Sequence, residues 1–230
     1  MTINPDEIVL FQWSWLVINS TIFFTWLVMF LLTLGSWLVT RKLTSQGQLS
    51  RWQNLLEVLI NAINGQIREV SRQEPGPYLP FIGTLFIYIA VSNILGIVPG
   101  FTPPTGSLST TAALAISVFI AVPVFGIARQ GIINYLLQYI QPTFFMLPFN
   151  IIGELSRTLA LAVRLYGNIM SGTIIVAILL TITPLIFPVV MQALGLLTGL
   201  IQAYIFAILA MVYIASASQA HEEIQKKGEK

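Results

Sequence analysis

Apolar residues run along this chain in long blocks, interrupted by short polar or proline-rich stretches. The blocks cover 18–40, 79–98, 108–128, 147–182 and 189–218. Each approaches or exceeds the ~20 residues that cross a bilayer's hydrocarbon core as a helix. The interruptions are Arg41-Lys42, Pro75-Gly76-Pro77, Pro99-Gly100, Arg129 and the segment from Thr183 to Pro188. The pattern predicts about five transmembrane helices. The last two blocks are well over spanning length, which predicts a long tilted or kinked hairpin. Between the first two blocks, 50–72 has a different rhythm. Trp52, Leu55, Leu56, Leu59, Ile63, Ile67 and Val70 recur at helical spacing, with Glu57, Asn61, Asn64 and Arg68 opposite. This predicts an amphipathic helix, either on the inner membrane surface or packed on its own protein. Ile133 to Ile140 is a shorter stretch of the same kind.

Composition agrees with this reading. Of 230 residues, 56% are hydrophobic and 9% charged, against about 25% charged in soluble domains. The fold class expected is all-α: a polytopic helical membrane protein forming one domain over 1–230. The net charge of +2 and the lack of a basic patch give no reason to expect a nucleic-acid partner. With no cysteine and a single His221 in the polar tail, thiol chemistry, a metal site and a histidine-based triad are not expected, and no cofactor motif is visible. Met1 to Leu10 carries Asp6 and Glu7 and no Lys or Arg, so no secretory signal is expected. Trp13 and Trp15 fit an interfacial aromatic belt. Arg41, Lys42, Arg51, Arg68 and Arg72 all lie between the first two blocks, Arg129 follows the third, and Lys226, Lys227 and Lys230 lie in the tail. The positive-inside rule then places 1–17 outside and the tail, 219–230, inside. No internal repeat of the transporter kind is visible.

Candidate chemistry concentrates in the fourth block. Between Phe144 and Ala217 the only charged residues are Glu154, Arg157 and Arg164. A charge at bilayer depth costs about 2.5–3.5 kcal/mol on insertion scales, so such residues are functional by default. At alternating spacings of three and four the helix presents Glu154, Arg157, Leu161, Arg164, Asn168 and Ser171. Five of the six are polar, over about 26 Å. Such a stripe faces water or another polar surface. Glu154 and Arg157 are spaced to pair with each other. Arg164 has no obvious carboxylate partner at its depth, which points to a carboxylate on another subunit. The last block offers Gln202 in mid-helix, and Gly195 and Gly199 in a GxxxG pattern that permits close approach. Asn93 and the run Ser109-Thr110-Thr111 either line an aqueous path or bond within their own helices.

The run Arg164-Leu165-Tyr166-Gly167-Asn168, followed by Gln202-Ala203-Tyr204-Ile205-Phe206, strongly resembles the a subunit of F-type ATP synthases. The resemblance extends through Ser92-Asn93, Pro103-Pro104-Thr105, Pro148-Phe149-Asn150, Glu154-Leu155-Ser156-Arg157 and Tyr213-Ile214-Ala215. It implies a non-catalytic stator subunit in an energy-transducing membrane, a bacterial plasma membrane or a thylakoid, with its C-terminus on the ATP-synthesising side. The implied partners are a ring of c subunits whose carboxylate meets Arg164, b-type peripheral stalk subunits, other subunits of the complex and the lipid bilayer. Two offset half-channels are implied to pass the ion. Arg164, Asn168 and Gln202 take the ion-translocating positions, and Ser171, Thr173, Asn93, Glu154 and Arg157 are candidates for channel lining. Many relatives place a carboxylate where this chain has Ser171-Gly172-Thr173, a histidine at Gly195 in some cases, and an Asn-Asp pair where it has Gly106-Ser107. Protons remain the leading cargo and Na⁺ the alternative. A stand-alone channel or secondary transporter is the competing class.

Overall fold

The computed structural model describes residues 6, 9–13, 16–41, 51–72, 74–98, 100–140, 145–183 and 187–228. Seven helices account for nearly all of it: α1 Ser20–Thr40, α2 Arg51–Ser71, α3 Leu79–Leu95, α4 Leu108–Gln130, α5 Ile132–Ile140, α6 Met146–Ile182 and α7 Phe187–Gly228. A 3-10 turn, Pro104–Gly106, precedes α4. The described residues are all-α apart from one small hairpin, in which β1 Val9–Trp13 pairs antiparallel with β2 Leu16–Asn19. Four helices are long and apolar enough to span a membrane: α1, α4, α6 and the apolar part of α7 to Ser218. This is an integral membrane protein.

The elements depart from the pattern at three places. The hairpin was not expected, because its strands are short and merge into the first apolar block. The span expected over 79–98 is a 17-residue helix, with turns at Gly96, Ile97 and Val98; only about 26 Å of helix remains. The expected polar tail at 219–230 continues α7 to Gly228, since Ala, Glu, Gln and Lys dominate it and favour helix without needing an apolar partner. The span expected over 108–128 is α4, which carries Pro123 inside its length and runs to Gln130, where Gly131, at φ +81°, turns the chain. Part of the segment separating α6 from α7, 184–186, lies outside the described residues, as do Trp15, Lys42, Ser50, Pro99 and Lys230.

The core lies among α3, α4, α6 and α7, which make the main contacts between elements. Ile89, Val118, Leu161, Leu165, Ala203, Phe206, Ala210 and Ile214 are buried there. Small residues on α7 let its neighbours come close. At Gly199 an added Cβ would stand 3.1–3.2 Å from atoms of Asn93, whereas Gly195 has nothing within 4 Å. Only one glycine of the GxxxG pair is therefore a contact point. Gly126 on α4 is tighter still, with the Tyr135 ring of α5 2.6 Å from the place a Cβ would occupy. Helix α2 buries Ile67 and Ser71, packs on α3 and α7, and accepts a 2.7 Å hydrogen bond at Gln66 Oε1 from Tyr204 Oη. Its Leu55, Val58 and Ile60 are exposed. One flank thus packs on its own protein and the other remains open.

Candidate functional site

The α6–α7 pair sets the site. The Asn168 side chain donates from Nδ2 to the Thr198 carbonyl of α7 at 3.1 Å, which fixes the antiparallel register. One turn back along α6 is Arg164; one turn forward along α7 is Gln202. The register therefore sets Arg164 level with Gln202. Arg164 is exposed, and among the described residues it has neither a hydrogen-bond nor an ion-pair partner. A guanidinium stays protonated whatever surrounds it, so it presents a fixed positive charge on the open face of α6.

The expected stripe is only partly one face. Arg157, Arg164 and Ser171 are exposed and Glu154 and Asn168 half-buried, but Leu161 is buried at 1% exposure. The stripe zigzags between two flanks of the helix, and Leu161 shares with half-buried Glu154 and Asn168 the flank that meets the neighbouring helices beside Leu165. The Ser171 hydroxyl donates to the Asn168 carbonyl, 3.0 Å, and Thr173 to the Met170 carbonyl, 2.9 Å, so each is satisfied on its own helix. The Arg157 guanidinium reaches across to α7 and lies 5.6 Å from the Tyr213 ring centroid, a cation–π contact.

Two cavities open at opposite ends of the α6–α7 pair. One, about 480 Å³, is lined by Asn150, Glu154, Arg157 and Thr158 of α6, Tyr213 and Ser216 of α7, and residues of α4 and α5. The other, about 260 Å³, is lined by Asn93 of α3, Asn168 and Thr173 of α6, and Gln192 and Gly195 of α7. Along α6, Arg164 falls between the last residue of the first lining, Thr158, and the first of the second, Asn168. Of the expected site residues, Glu154 and Arg157 therefore line one cavity, Asn93, Asn168 and Thr173 the other. Ser171, Arg164 and Gln202 line neither.

Asn93 and Gln202 behave differently. Asn93 is buried, donating to the Gly199 carbonyl at 2.8 Å and accepting from Thr105 Oγ1 at 2.8 Å. It is both an interhelical clasp and part of a cavity wall. Gln202 is 5% exposed, yet its Nε2 has no hydrogen-bond partner among the described residues. A buried amide nitrogen in that state costs about 1–3 kcal/mol. Thr111 bonds the Ser107 and Leu108 carbonyls of its own helix.

Asp6, expected only as part of an acidic N-terminus, is held by a set of hydroxyls. Its carboxylate accepts hydrogen bonds from Thr21 Oγ1 at 2.6 Å and Ser107 Oγ at 2.7 and 2.8 Å, with Ser109 Oγ at 3.5 Å. These donors are 15, 101 and 103 residues away, and no local pattern could have joined them. Among the described residues no group of three or more His, Cys, Asp or Glu is placed to hold a metal.

Comparison with known proteins gives a consistent result. Residues 22–215 match the family described as ATP synthase A chain. The chain is 61% identical over 222 residues to ATP synthase subunit a 2 of Acaryochloris marina, covering 96% of this chain and 95% of that one. It is 58% identical to ATP synthase subunit a of Albidiferax ferrireducens over the full length of both. It is 59% identical to ATP synthase subunit a 1 of Chlorobaculum parvum, covering 97% and 99%.

Proposed function

Because the chain belongs to the ATP synthase A chain family, as an F-type a subunit, we propose that it forms the two half-channels that carry ions to and from a rotating ring of c subunits. It is a non-catalytic subunit of the membrane sector, and its partners include other ATP synthase subunits. The observation that carries the finer reading is the exposed Arg164, unpartnered among the described residues, between two cavities at opposite ends of α6 and α7.

The mechanism follows from charge and solvation. A ring carboxylate facing lipid is held neutral, protonated or Na⁺-bound, because desolvation disfavours its charged form. At Arg164 the fixed positive charge favours the bare carboxylate, and the ion leaves through one cavity. The guanidinium also repels cations and stops leakage from one cavity to the other. Gln202 and Asn168, level with Arg164 and one turn away, supply neutral polar groups beside it. The α3-end cavity is the outer half-channel and the α5-end cavity the inner, by the distribution of Lys and Arg over the loops. The C-terminus is thereby on the ATP-synthesising side. The ring carboxylate meets Arg164, and b-type peripheral stalk subunits hold the subunit against the torque. Protons are the leading cargo and Na⁺ the alternative. A stand-alone channel or transporter is disfavoured because it needs its own counter-charge for Arg164, which has no partner among the described residues.

Arg164→Ala is expected to leave the complex assembled and to abolish coupled ATP synthesis in membrane vesicles. Normal synthesis by that variant overturns the reading.

A further inference from the structure

We propose that Asp6, with the hydroxyls of Thr21, Ser107 and Ser109, is the outer uptake site for the transported cation, feeding a buried polar file that ends beside α7. This rests on the half-channel reading above. The site is built wholly of oxygen, a carboxylate plus hydroxyls drawn from two separate parts of the chain: Thr21 on α1, and Ser107 and Ser109 at the start of α4. Ser107 and Thr21 are 0% and 4% exposed, so the hydroxyl floor is inside the protein while the half-buried Asp6 stands above it. Carboxylate and hydroxyl oxygens suit a proton or a hard monovalent cation and suit softer metals poorly.

Two lines of polar side chains lead inward. On one side Ser107 is two residues from Thr105, buried at 0% exposure, whose hydroxyl donates to Asn93 Oδ1. On the other, Thr21 lies one turn from Thr25 on α1, and α3 carries the buried Tyr88 and Ser92 hydroxyls one turn apart. Ser92 is at 0% and Tyr88 at 9% exposure, and neither hydroxyl makes a hydrogen bond of good geometry. Ser92 is next to Asn93, which binds α7 at Gly199, one turn from the unsatisfied Gln202 Nε2. Buried polar groups are otherwise paired with protein or water, so three left unsatisfied along one route leave places for water to bind. The route passes from the outer corner of α1 and α4 to the level of Arg164, and Asn93 joins it to the α3-end cavity.

A carboxylate at the mouth of a water path raises the local cation concentration, an effect worth about tenfold or more in uptake. The test uses the intact complex in vesicles, with ATP synthesis driven by an imposed gradient. One arm titrates pH at the outer face without Na⁺; the other titrates Na⁺ at fixed pH. Asp6→Asn is expected to raise the half-saturating concentration of the driving cation about tenfold. Asp6→Glu should restore most of the shift, and Ser107→Ala, which keeps the carboxylate, should move it part of the way. The arm that shifts identifies the cation. An Asp6 that only tethers the N-terminal segment would lower the yield of complex and leave half-saturation in place for all three variants; that result overturns the proposal. Synthesis that survives Arg164→Ala would overturn the half-channel reading instead, so the two failures are distinct.

Discussion

The proposed mechanism turns on Arg164, whose chemistry cannot be reduced to charge. A lysine carries the same charge at neutral pH but sheds its proton when desolvated. Arg164→Lys is therefore expected to couple poorly: ATP synthesis per ion translocated should fall well below the native value in reconstituted vesicles, with the complex intact. Full coupling would mean that a generic cation suffices. The sequence exposed Arg164 readily because a charge among apolar residues is legible without any structure. It exposed Asn93 and Gln202 as polar outliers, but not what they do. Whether a buried amide clasps a neighbouring helix, as Asn93 does, or keeps an unsatisfied nitrogen, as Gln202 does, depends on which backbone lies opposite. The surroundings of Asp6 were illegible altogether, since its partners are assembled from distant segments.

At the level of elements, the helices were largely written in the hydrophobic pattern, and their faces less so. The polar stripe on α6 zigzags along its helix, leaving Leu161 inside. Cysteines placed singly should report this on the cysteine-free background. Arg157→Cys, Arg164→Cys and Ser171→Cys should react with aqueous thiol reagents or crosslink to the ring, whereas Leu161→Cys and Leu165→Cys, both buried, should stay inert. Strong labelling at 161 or 165 would mean that the α6 face is assigned wrongly. The α4–α5 junction makes a second test. Gly126→Ala would force its Cβ into the Tyr135 ring, an overpacking that costs about 1–3 kcal/mol. The thermal midpoint of the purified complex should drop, and Gly126→Ala combined with Tyr135→Leu should recover part of the loss. The end of α3 and the helical continuation of α7 escaped the pattern for the same reason: hydropathy finds apolar length, while helix ends are decided by turns and by residues that helices tolerate without burying.

For the whole molecule, the family reading predicts dependence on partners. A complete transporter moves ions when purified alone; this chain should not, and it should copurify with the ring. ATP-driven pumping by the intact complex should acidify vesicles at negligible Na⁺. Hydrolysis that requires millimolar Na⁺, with Na⁺ uptake that resists a protonophore, would reverse the choice of ion. The arrangement of the two cavities carries an electrical consequence. Water conducts far better than hydrocarbon, so when both cavities fill, each is brought close to the potential of the side it opens to. The transmembrane voltage then falls mainly across the thin septum of protein around Arg164 and Asn168 rather than over the ~30 Å of the bilayer. A charge moving a few ångströms on the ring beside that septum would feel most of the drop, about 2.3 kcal/mol per 100 mV. On the proposed mechanism, the torque would be concentrated where the ring passes the arginine.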